Sequence, residues 1–223
     1  GLPVGAWSTG GSLNTARAFS FGAGTQTAAL YAGGDTNPPA PSISASTELY
    51  DGTSWTEVND LNVAKKHGAA AGTQTSALAF GGQNPSTTEV NDLNSRRTDM
   101  ASGNGTATSA LCAGGNEPAA LTNKTESWNG TSWTEVNDLN TTRSNFASAG
   151  ADNTSALAFG GQTPSLTGVT EEWNGVSWTE TSDLSTARQN LSSALRGTTS
   201  ASLAVGGDAP SVTAATEEWS NQS

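Results

Sequence analysis

The hydrophobic residues of this chain are concentrated in short runs between polar and glycine-rich stretches. Five such runs recur, each five residues long and each followed at once by a Gly-Gly pair: Ala28 to Ala32, Ser76 to Phe80, Ser109 to Ala113, Ser155 to Phe159 and Ala201 to Val205. Short apolar runs bounded by glycine are typical of buried strands. The pattern therefore predicts five equivalent β-strands and no long helix.

A hairpin with two aromatic residues around a tight turn follows in most of the repeated units. The clearest hairpins are Tyr50 to Trp55, Trp128 to Trp133 and Trp173 to Trp178, with Asp51-Gly52, Asn129-Gly130 and Asn174-Gly175 at their turns. Asn-Gly and Asp-Gly accept the positive φ angles that a two-residue hairpin turn requires. Each full unit is therefore predicted to form four antiparallel strands, which we designate A to D.

The units align on a leucine that is followed four residues later by a basic residue. The pairs are Leu13/Arg17, Leu61/Lys65, Leu93/Arg97, Leu139/Arg143 and Leu184/Arg188. The leucines are 48, 32, 46 and 45 residues apart. Four-stranded propeller blades repeat at roughly 40 to 50 residues, so the long intervals fit one blade each. The short interval indicates that the second unit has lost about a third of its length.

The order of these elements resembles the kelch repeat, in which an Arg precedes strand A, strand B ends in Gly-Gly and a spaced Tyr/Trp pair follows. In the fourth unit, Ala156 to Gly161 is followed by Trp173 and Trp178. The resemblance covers essentially the whole chain. It implies an all-β fold, a five-bladed kelch-like β-propeller in a single domain, with strand A nearest the axis. The blades are expected at residues 13–58, 61–90, 93–136, 139–181 and 184–223, the last together with residues 1–12.

The two ends of the chain predict how the propeller closes. The last unit reaches strand C at Trp219 and then lacks a second aromatic residue and a strand D. Trp7 precedes Leu13 by six residues, the spacing at which Trp55 precedes Leu61. We therefore expect residues 1–12 to supply strand D of the last blade and to cover two strand edges.

The short second unit passes from Gly82 to Leu93 with no aromatic pair and no Asn-Gly turn. Strands B and D end on the same face, so loss of strands C and D together preserves the path of the chain. We predict a two-stranded second blade from which the C/D hairpin is lost. Its strand B would present an open edge at Ser76, Leu78 and Phe80, and a second copy of the chain is the expected cover, in a homodimer.

Composition narrows the class of function. The formal net charge is −11, so a phosphate backbone would be repelled and nucleic acid is not an expected partner. No run approaches the roughly 20 apolar residues of a membrane-spanning helix, and membrane insertion is not expected. Cys112 is the single cysteine and His67 the single histidine, too few for a recognisable metal set. We expect no metal, no cofactor and no catalytic residues.

The five repeated bases, Arg17, Lys65, Arg97, Arg143 and Arg188, would form a ring around the axis. One interpretation is an anion site at a mouth of the channel, because converging positive charges focus the field. The other is structural, and we favour it because one base per repeat is typical of a repeated packing solution. In that interpretation each base pairs with a carboxylate, such as Glu48, Glu89, Glu126, Glu172 or Glu218.

The loops that follow the Gly-Gly pairs differ most in length and chemistry, and they lie on the face where the A strands begin. Variable loops on a rigid scaffold often carry binding, although drift of solvent-exposed loops explains the variation equally well. If this face binds a ligand, the first candidates are Asp35, Asn37, Gln83, Asn116, Glu117, Gln162 and Asp208.

Low charge, abundant Ser, Thr and Asn, and the Trp-Asn-Gly-Thr-Ser-Trp hairpin are similar to kelch-like repeats of phage and bacterial surface or virion proteins. This resemblance implies a non-catalytic binding or structural scaffold that presents variable loops to a protein or a glycan, in an extracellular or virion location. Two alternatives stay open. One is a sugar-acting enzyme at the channel mouth, which would need clustered carboxylates or a histidine aimed at the axis. The other is an engineered or reconstructed repeat protein.

Overall fold

The computed structural model describes residues 9–36, 42–83, 93–101, 104–193 and 198–220, and these residues form strands and turns without a helix. None of them could therefore form a membrane-spanning helix. The strands build small antiparallel sheets in a propeller arrangement, with four, two, four, four and three strands in chain order. Within each sheet, strands that follow one another in the chain are hydrogen-bonded neighbours.

The bounds of the strands follow the repeat. The first sheet contains β1 (Phe21–Thr25), β2 (Ala28–Ala32), β3 (Thr47–Tyr50) and β4 (Trp55–Val58). The second contains β5 (Ala69–Thr73) and β6 (Ser76–Phe80), and the third β7 (Asn104–Thr106), β8 (Ser109–Ala113), β9 (Thr125–Trp128) and β10 (Trp133–Val136). The fourth contains β11 (Ala147–Asp152), β12 (Ser155–Phe159), β13 (Thr170–Trp173) and β14 (Trp178–Glu180). The fifth contains β15 (Ser192–Ser193), β16 (Ala201–Val205) and β17 (Thr216–Ser220).

The predicted local elements are confirmed. The strands expected before the Gly-Gly pairs are β2, β6, β8, β12 and β16, with the same bounds. In the aromatic hairpins, Tyr50 lies opposite Trp55, Trp128 opposite Trp133 and Trp173 opposite Trp178. The turn residue Asn129 accepts hydrogen bonds at its Oδ1 from two backbone N–H groups, each at 2.9 Å, which fixes the hairpin.

The hydrophobic core lies mainly between neighbouring sheets. Trp178 of β14 belongs to a buried cluster with Leu111 and Ala113 of the third sheet, and its Nε1 donates a hydrogen bond to Thr125 Oγ1 at 3.0 Å. One interface earlier, the Trp133 ring lies 4.8 Å from the Phe80 ring of the second sheet. Buried tryptophans contribute large apolar areas. The tryptophan of the fourth strand therefore stabilises the packing of its sheet against the preceding sheet.

The second sheet contains two strands in the described part of the chain. Residues 84–92, on which the predicted loss of the C/D hairpin falls, lie outside that part, and the loss stays a prediction. The described residues of this sheet also leave one buried group of the next sheet without a partner. Among the described residues, the buried Nε1 of Trp133 has no hydrogen-bond partner, whereas Trp178 bonds to Thr125 of the preceding strand C. Because β5 and β6 are followed by no described strand C, the described part of the second sheet supplies no equivalent acceptor.

The apolar edge predicted on β6 needs correction. Ser76 is exposed and Leu78 is half-buried, but Phe80 is only 2% exposed because the Trp133 indole of the third sheet covers its ring. Phe80 therefore offers no surface to a second copy of the chain. The homodimer itself stays a prediction.

The fifth sheet has three described strands. The closing segment was predicted at residues 1–12; Trp7 and the rest of residues 1–8 lie outside the described part, and residues 9–12 form no strand. A groove of about 470 Å³ lies between the fourth and fifth sheets, lined by Leu157, Phe159, Thr170, Leu184 and Trp219 among others. The first four of these residues occupy the same repeat positions as residues around Trp178 at the preceding interface. The equivalents there are Leu111, Ala113, Thr125 and Leu139, and Thr125 accepts the hydrogen bond from Trp178. The groove thus corresponds to the site that a strand D tryptophan fills in the fourth sheet.

Candidate functional site

Behind the loop face, four of the five repeated bases lie in buried ion pairs. The pairs are Arg17 with Glu48, Arg97 with Glu126, Arg143 with Glu171, and Arg188 with Glu217, and all four guanidinium side chains are inaccessible to solvent. The predicted partners Glu172 and Glu218 are therefore wrong. The residues before them, Glu171 and Glu217, form the ion pairs. Successive side chains of a strand point to opposite faces, and Glu171 shares its face with the buried Trp173.

Each buried glutamate has further donors that fix it. Asn94 donates to Glu126 Oε2 from its backbone N–H at 2.7 Å and from Nδ2 at 2.8 Å, and Asn14 and Asn140 bond to Glu48 and Glu171 in the same way. Desolvation raises the pKa of Glu48, but the hydrogen bonds from Asn14 and the charge of Arg17 outweigh it, so the pKa lies below its ordinary value.

The charge of these bases is therefore neutralised inside the sheets, which is what the structural interpretation of the basic ring expects. Lys65, the equivalent base of the second sheet, is also buried, and its expected partner Glu89 lies outside the described residues. Paired groups of this kind hold the start of each strand A against the body of its own sheet. They leave little positive field for an anion at the mouth.

Two residues after each base, the backbone turns into the left-handed region. The residues are Phe19, His67, Asp99, Asn145 and Asn190, with φ between 53° and 58°, and they are the only non-glycine residues with positive φ in the described part of the chain. We call these five residues the mouth ring. Several are joined directly, because the N–H groups of His67, Asn145 and Asn190 donate to the carbonyls of Phe19, Asp99 and Asn145 at 2.9–3.0 Å.

The loop candidates predicted from the sequence lie beside the mouth ring. Asp35, Gln83, Asn116, Gln162 and Asp208 each form a β-bridge with the residue that precedes a mouth-ring residue. In one of these bridges, Asn116 and Thr98 exchange two backbone hydrogen bonds at 2.8 and 3.0 Å. Glu117 follows and pairs with Lys124 at 2.8 Å, while Asn37 lies outside the described residues. The structure thus brings five of the seven candidates to equivalent positions on one face.

Side chains of the first three sheets make a continuous line of contacts along the mouth ring. The Phe19 ring stacks on the His67 imidazole, with centroids 4.4 Å apart and planes at 21°. His67 Nδ1 lies 3.2 Å from Asp99 Oδ1, and Asp99 Oδ2 accepts from Asn116 Nδ2 at 2.9 Å. Phe19 is nevertheless 57% exposed. The line therefore ends in an apolar ring that faces solvent.

The channel below the mouth ring is chemically plain. It encloses about 620 Å³ and is lined mainly by Gly, Ala, Ser and Thr from β1, β5, β7 and β11. No Asp, Glu, His, Lys or Arg is among the described residues of its wall, and the described ranges contain no group of three His, Cys, Asp or Glu residues suited to a metal ion. Its wall also includes the aromatic residues Phe21, Tyr31 and Trp55 of the first sheet, whereas charged side chains such as Asp99 and Lys66 lie at the rim.

Comparison with known proteins adds no function. No family model and no curated protein matches the chain.

The mouth ring itself was not among the sequence predictions, although a signal for it exists. Residues 52–62 and 130–140 have the same sequence, yet the position two residues after the base carries Phe, His, Asp, Asn and Asn in the five units. Variation at one position within otherwise similar repeats could have identified it. Asn, Asp and His are enriched in left-handed backbone, and four of the five units carry one of them at this position, whereas Phe19 is of a type that rarely adopts that conformation.

Proposed function

We propose that the chain is a non-catalytic binding scaffold, a five-bladed kelch-like β-propeller whose mouth ring and Gly-Gly loops contact a protein or glycan, on a virion or a cell surface. The observation that carries the proposal is that the buried ion pairs repeat from sheet to sheet, whereas the exposed residues beside them vary. Arg–Glu pairs recur in four sheets, while the mouth-ring position just beyond them carries four residue types. A rigid support with variable exposed groups favours recognition.

The five-blade count in this proposal depends on closure by the N-terminal segment. At Gly11, a Cβ would lie 2.4 Å from Thr53 O, in the turn between strands C and D of the first sheet. Asn137, which directly follows strand D of the third sheet, donates to Val176 O in the equivalent turn of the fourth sheet at 2.8 Å. Gly11 therefore has the relation to the first sheet that the end of a preceding strand D would have. We propose that Trp7 fills the groove beside Thr170.

Binding at the loop face can be tested on arrays of immobilised glycans and peptides, with the full chain labelled at its C-terminus. The matched variants are Gln162→Ala on the loop face and Thr131→Ala in the hairpin turn of the opposite face. We expect bound spots to weaken with Gln162→Ala and to persist with Thr131→Ala. Absence of any bound probe, or loss of binding only with Thr131→Ala, would count against the proposal.

One contact favours the alternative of a sugar-acting enzyme. His67 approaches the Asp99 carboxylate at 3.2 Å, and such a pair can orient an imidazole for proton transfer. The pair is about a third exposed, and among the described residues no second carboxylate forms an ion pair with His67. Hydrolysis or isomerisation of a bound sugar that disappears with His67→Ala would establish the enzyme and overturn the non-catalytic assignment.

A further inference from the structure

We infer that the mouth ring holds a neutral sugar, with the exposed face of Phe19 against the pyranose ring and the side chains of neighbouring mouth-ring residues on its hydroxyl groups. The inference rests on the proposed function, because it names the ligand class of the same loop face. Three independent features of the mouth ring support it: its backbone, its hydrogen-bonding groups and its charge.

The first feature is the left-handed backbone of Phe19, a residue type that rarely adopts this conformation. Asp99, Asn145 and Asn190 tolerate left-handed backbone because their short polar side chains can bond locally. Phe19 has φ 58° with no such bond, and its ring is 57% exposed rather than buried. One face of the Phe19 ring stacks on His67, and the ring is still largely exposed to solvent. Strained residues of this kind concentrate at binding sites.

The second feature is the set of polar groups along the rest of the mouth ring, which begins at the His67 side chain beside Phe19. The Asn145 side chain is half-buried and makes no hydrogen bond with the described residues, although its backbone is bonded to Asp99 and Asn190. A side-chain amide offers two donors and one acceptor, which suits adjacent hydroxyl groups. A flat apolar surface next to a few oriented polar groups is the usual composition of a small-molecule site. A pyranose presents both an apolar face and a rim of hydroxyls.

The third feature is charge, which selects against acidic sugars. Asp35, Asp99 and Asp208 lie at this rim, whereas Lys66 is already paired with Asp35 at 2.8 Å. The repeated arginines are buried in ion pairs. The formal net charge of the chain is −11. Carboxylated or sulfated sugars would therefore meet repulsion, and neutral pyranoses would not.

The test is saturation-transfer NMR on the full chain with methyl glycosides of glucose, galactose, mannose and N-acetylglucosamine, and with methyl glucuronoside as the acidic probe. We expect at least one neutral glycoside to bind with a Kd on the order of 1–10 mM and the acidic probe not to bind. Phe19→Ala is expected to weaken binding about tenfold, as loss of a stacking aromatic does. Val176→Ala, an exposed apolar residue of the opposite face, is the matched control and should leave binding unchanged.

A second variant separates a binding role from a structural one. Phe19→Asn places a residue that tolerates left-handed backbone at this position, and we expect it to raise Tm by about 2–4 °C while it weakens sugar binding as much as Phe19→Ala does. A lower Tm with unchanged binding would overturn the inference. So would binding of no neutral glycoside, or binding that survives Phe19→Ala. If peptides instead bind the loop face and Gln162→Ala weakens them, the sugar inference fails while the proposed function stands.

Discussion

The fourth and fifth sheets begin with the same sequence signals and differ in how they are completed. In the fourth sheet, β14 brings Trp178 over the contact with the third sheet, and the ion pair of Arg143 and Glu171 has no solvent exposure. In the fifth sheet the described strands end at β17, and Glu217, the partner of Arg188, is 25% exposed.

This difference shows that the repeat motif alone does not determine the environment of its own ion pair. Equivalent Arg and Glu residues are present in both sheets, and an equivalent strand B, β12 or β16, lies beside them. In the fourth sheet β14, with Trp178, pairs with the strand that carries Glu171, and the described part of the fifth sheet contains no equivalent strand. The predictions below test whether this is the physical difference between the two sheets and whether the N-terminal segment removes it.

The largest effect is expected from the strand D tryptophans. Trp178→Ala should lower the free energy of unfolding by about 3–5 kcal/mol, because it removes a buried indole and leaves a cavity. If Trp7 fills the groove of the fifth sheet, Trp7→Ala should have an effect of similar size. Urea unfolding followed by circular dichroism measures both. An unchanged midpoint for Trp7→Ala would contradict closure by the N-terminal segment.

A cross-link distinguishes closure within one chain from exchange between two. In a Cys112→Ala background, Ser8→Cys with Glu218→Cys should form an intrachain disulfide, because closure would set Trp7 opposite Trp219. Glu172→Cys with Thr179→Cys is the positive control, since these residues already pair across β13 and β14. Non-reducing electrophoresis should show a monomer for both variants. Covalent dimers of the first variant alone would assign the strand to a second copy.

The buried ion pairs should show the next largest effect. Glu171→Gln leaves the Arg143 guanidinium buried without its counter-charge, and we expect it to lower the free energy of unfolding by about 3 kcal/mol. Glu217→Gln should lower it by only about 1 kcal/mol, because solvent screens the more exposed pair. Urea unfolding of both variants at one pH gives the comparison. Equal losses would show that the fifth pair is sealed as well as the fourth.

The smallest effect concerns Cys112, which stands in the third sheet where the fourth has Ala158. Burial raises the pKa of the Cys112 thiol to about 11. The pKa of the thiol in the unfolded chain is about 8.5, so the folded chain keeps this proton to a higher pH. The contribution of this thiol to the free energy of unfolding is therefore fully present below about pH 8.5 and declines as the pH rises toward 11.

We expect the parent chain to lose about 1–2 kcal/mol relative to Cys112→Ala between pH 8 and pH 10. Guanidinium unfolding of both proteins at each pH cancels contributions from the other titrating groups. Parallel pH profiles would mean that the folded thiol is not protected. The alanine variant should fold, because Ala158 fills the same position in the fourth sheet.

Much of the fold was predictable because its signals are local. Five apolar residues before Gly-Gly, and two aromatic residues around an Asn-Gly turn, specify their strands and turns within a few positions. The ion-pair partners were only partly predictable. Glu171 and Glu172 are adjacent and chemically alike, and the register that sets Glu171 opposite Ala158 decides which of them is buried.

The sequence predicted the loop residues of the candidate site but not its mouth ring. The residues after the Gly-Gly pairs lie on the loop face, as expected, since each Gly-Gly pair ends a strand at that face. The mouth ring escaped because its members resemble ordinary residues at the start of strand A. Their shared backbone conformation and mutual contacts depend on how successive sheets are set around the channel.

By itself, the sequence determined the period, the strands before the Gly-Gly pairs and the aromatic hairpins, because each depends on residues close together in the chain. Only the tertiary structure decided which side chains meet. Phe19, His67 and Asp99 are 48 and 32 residues apart, and they touch because neighbouring sheets bring equivalent positions side by side. Contacts between repeats depend on the arrangement of the sheets, which no single repeat encodes.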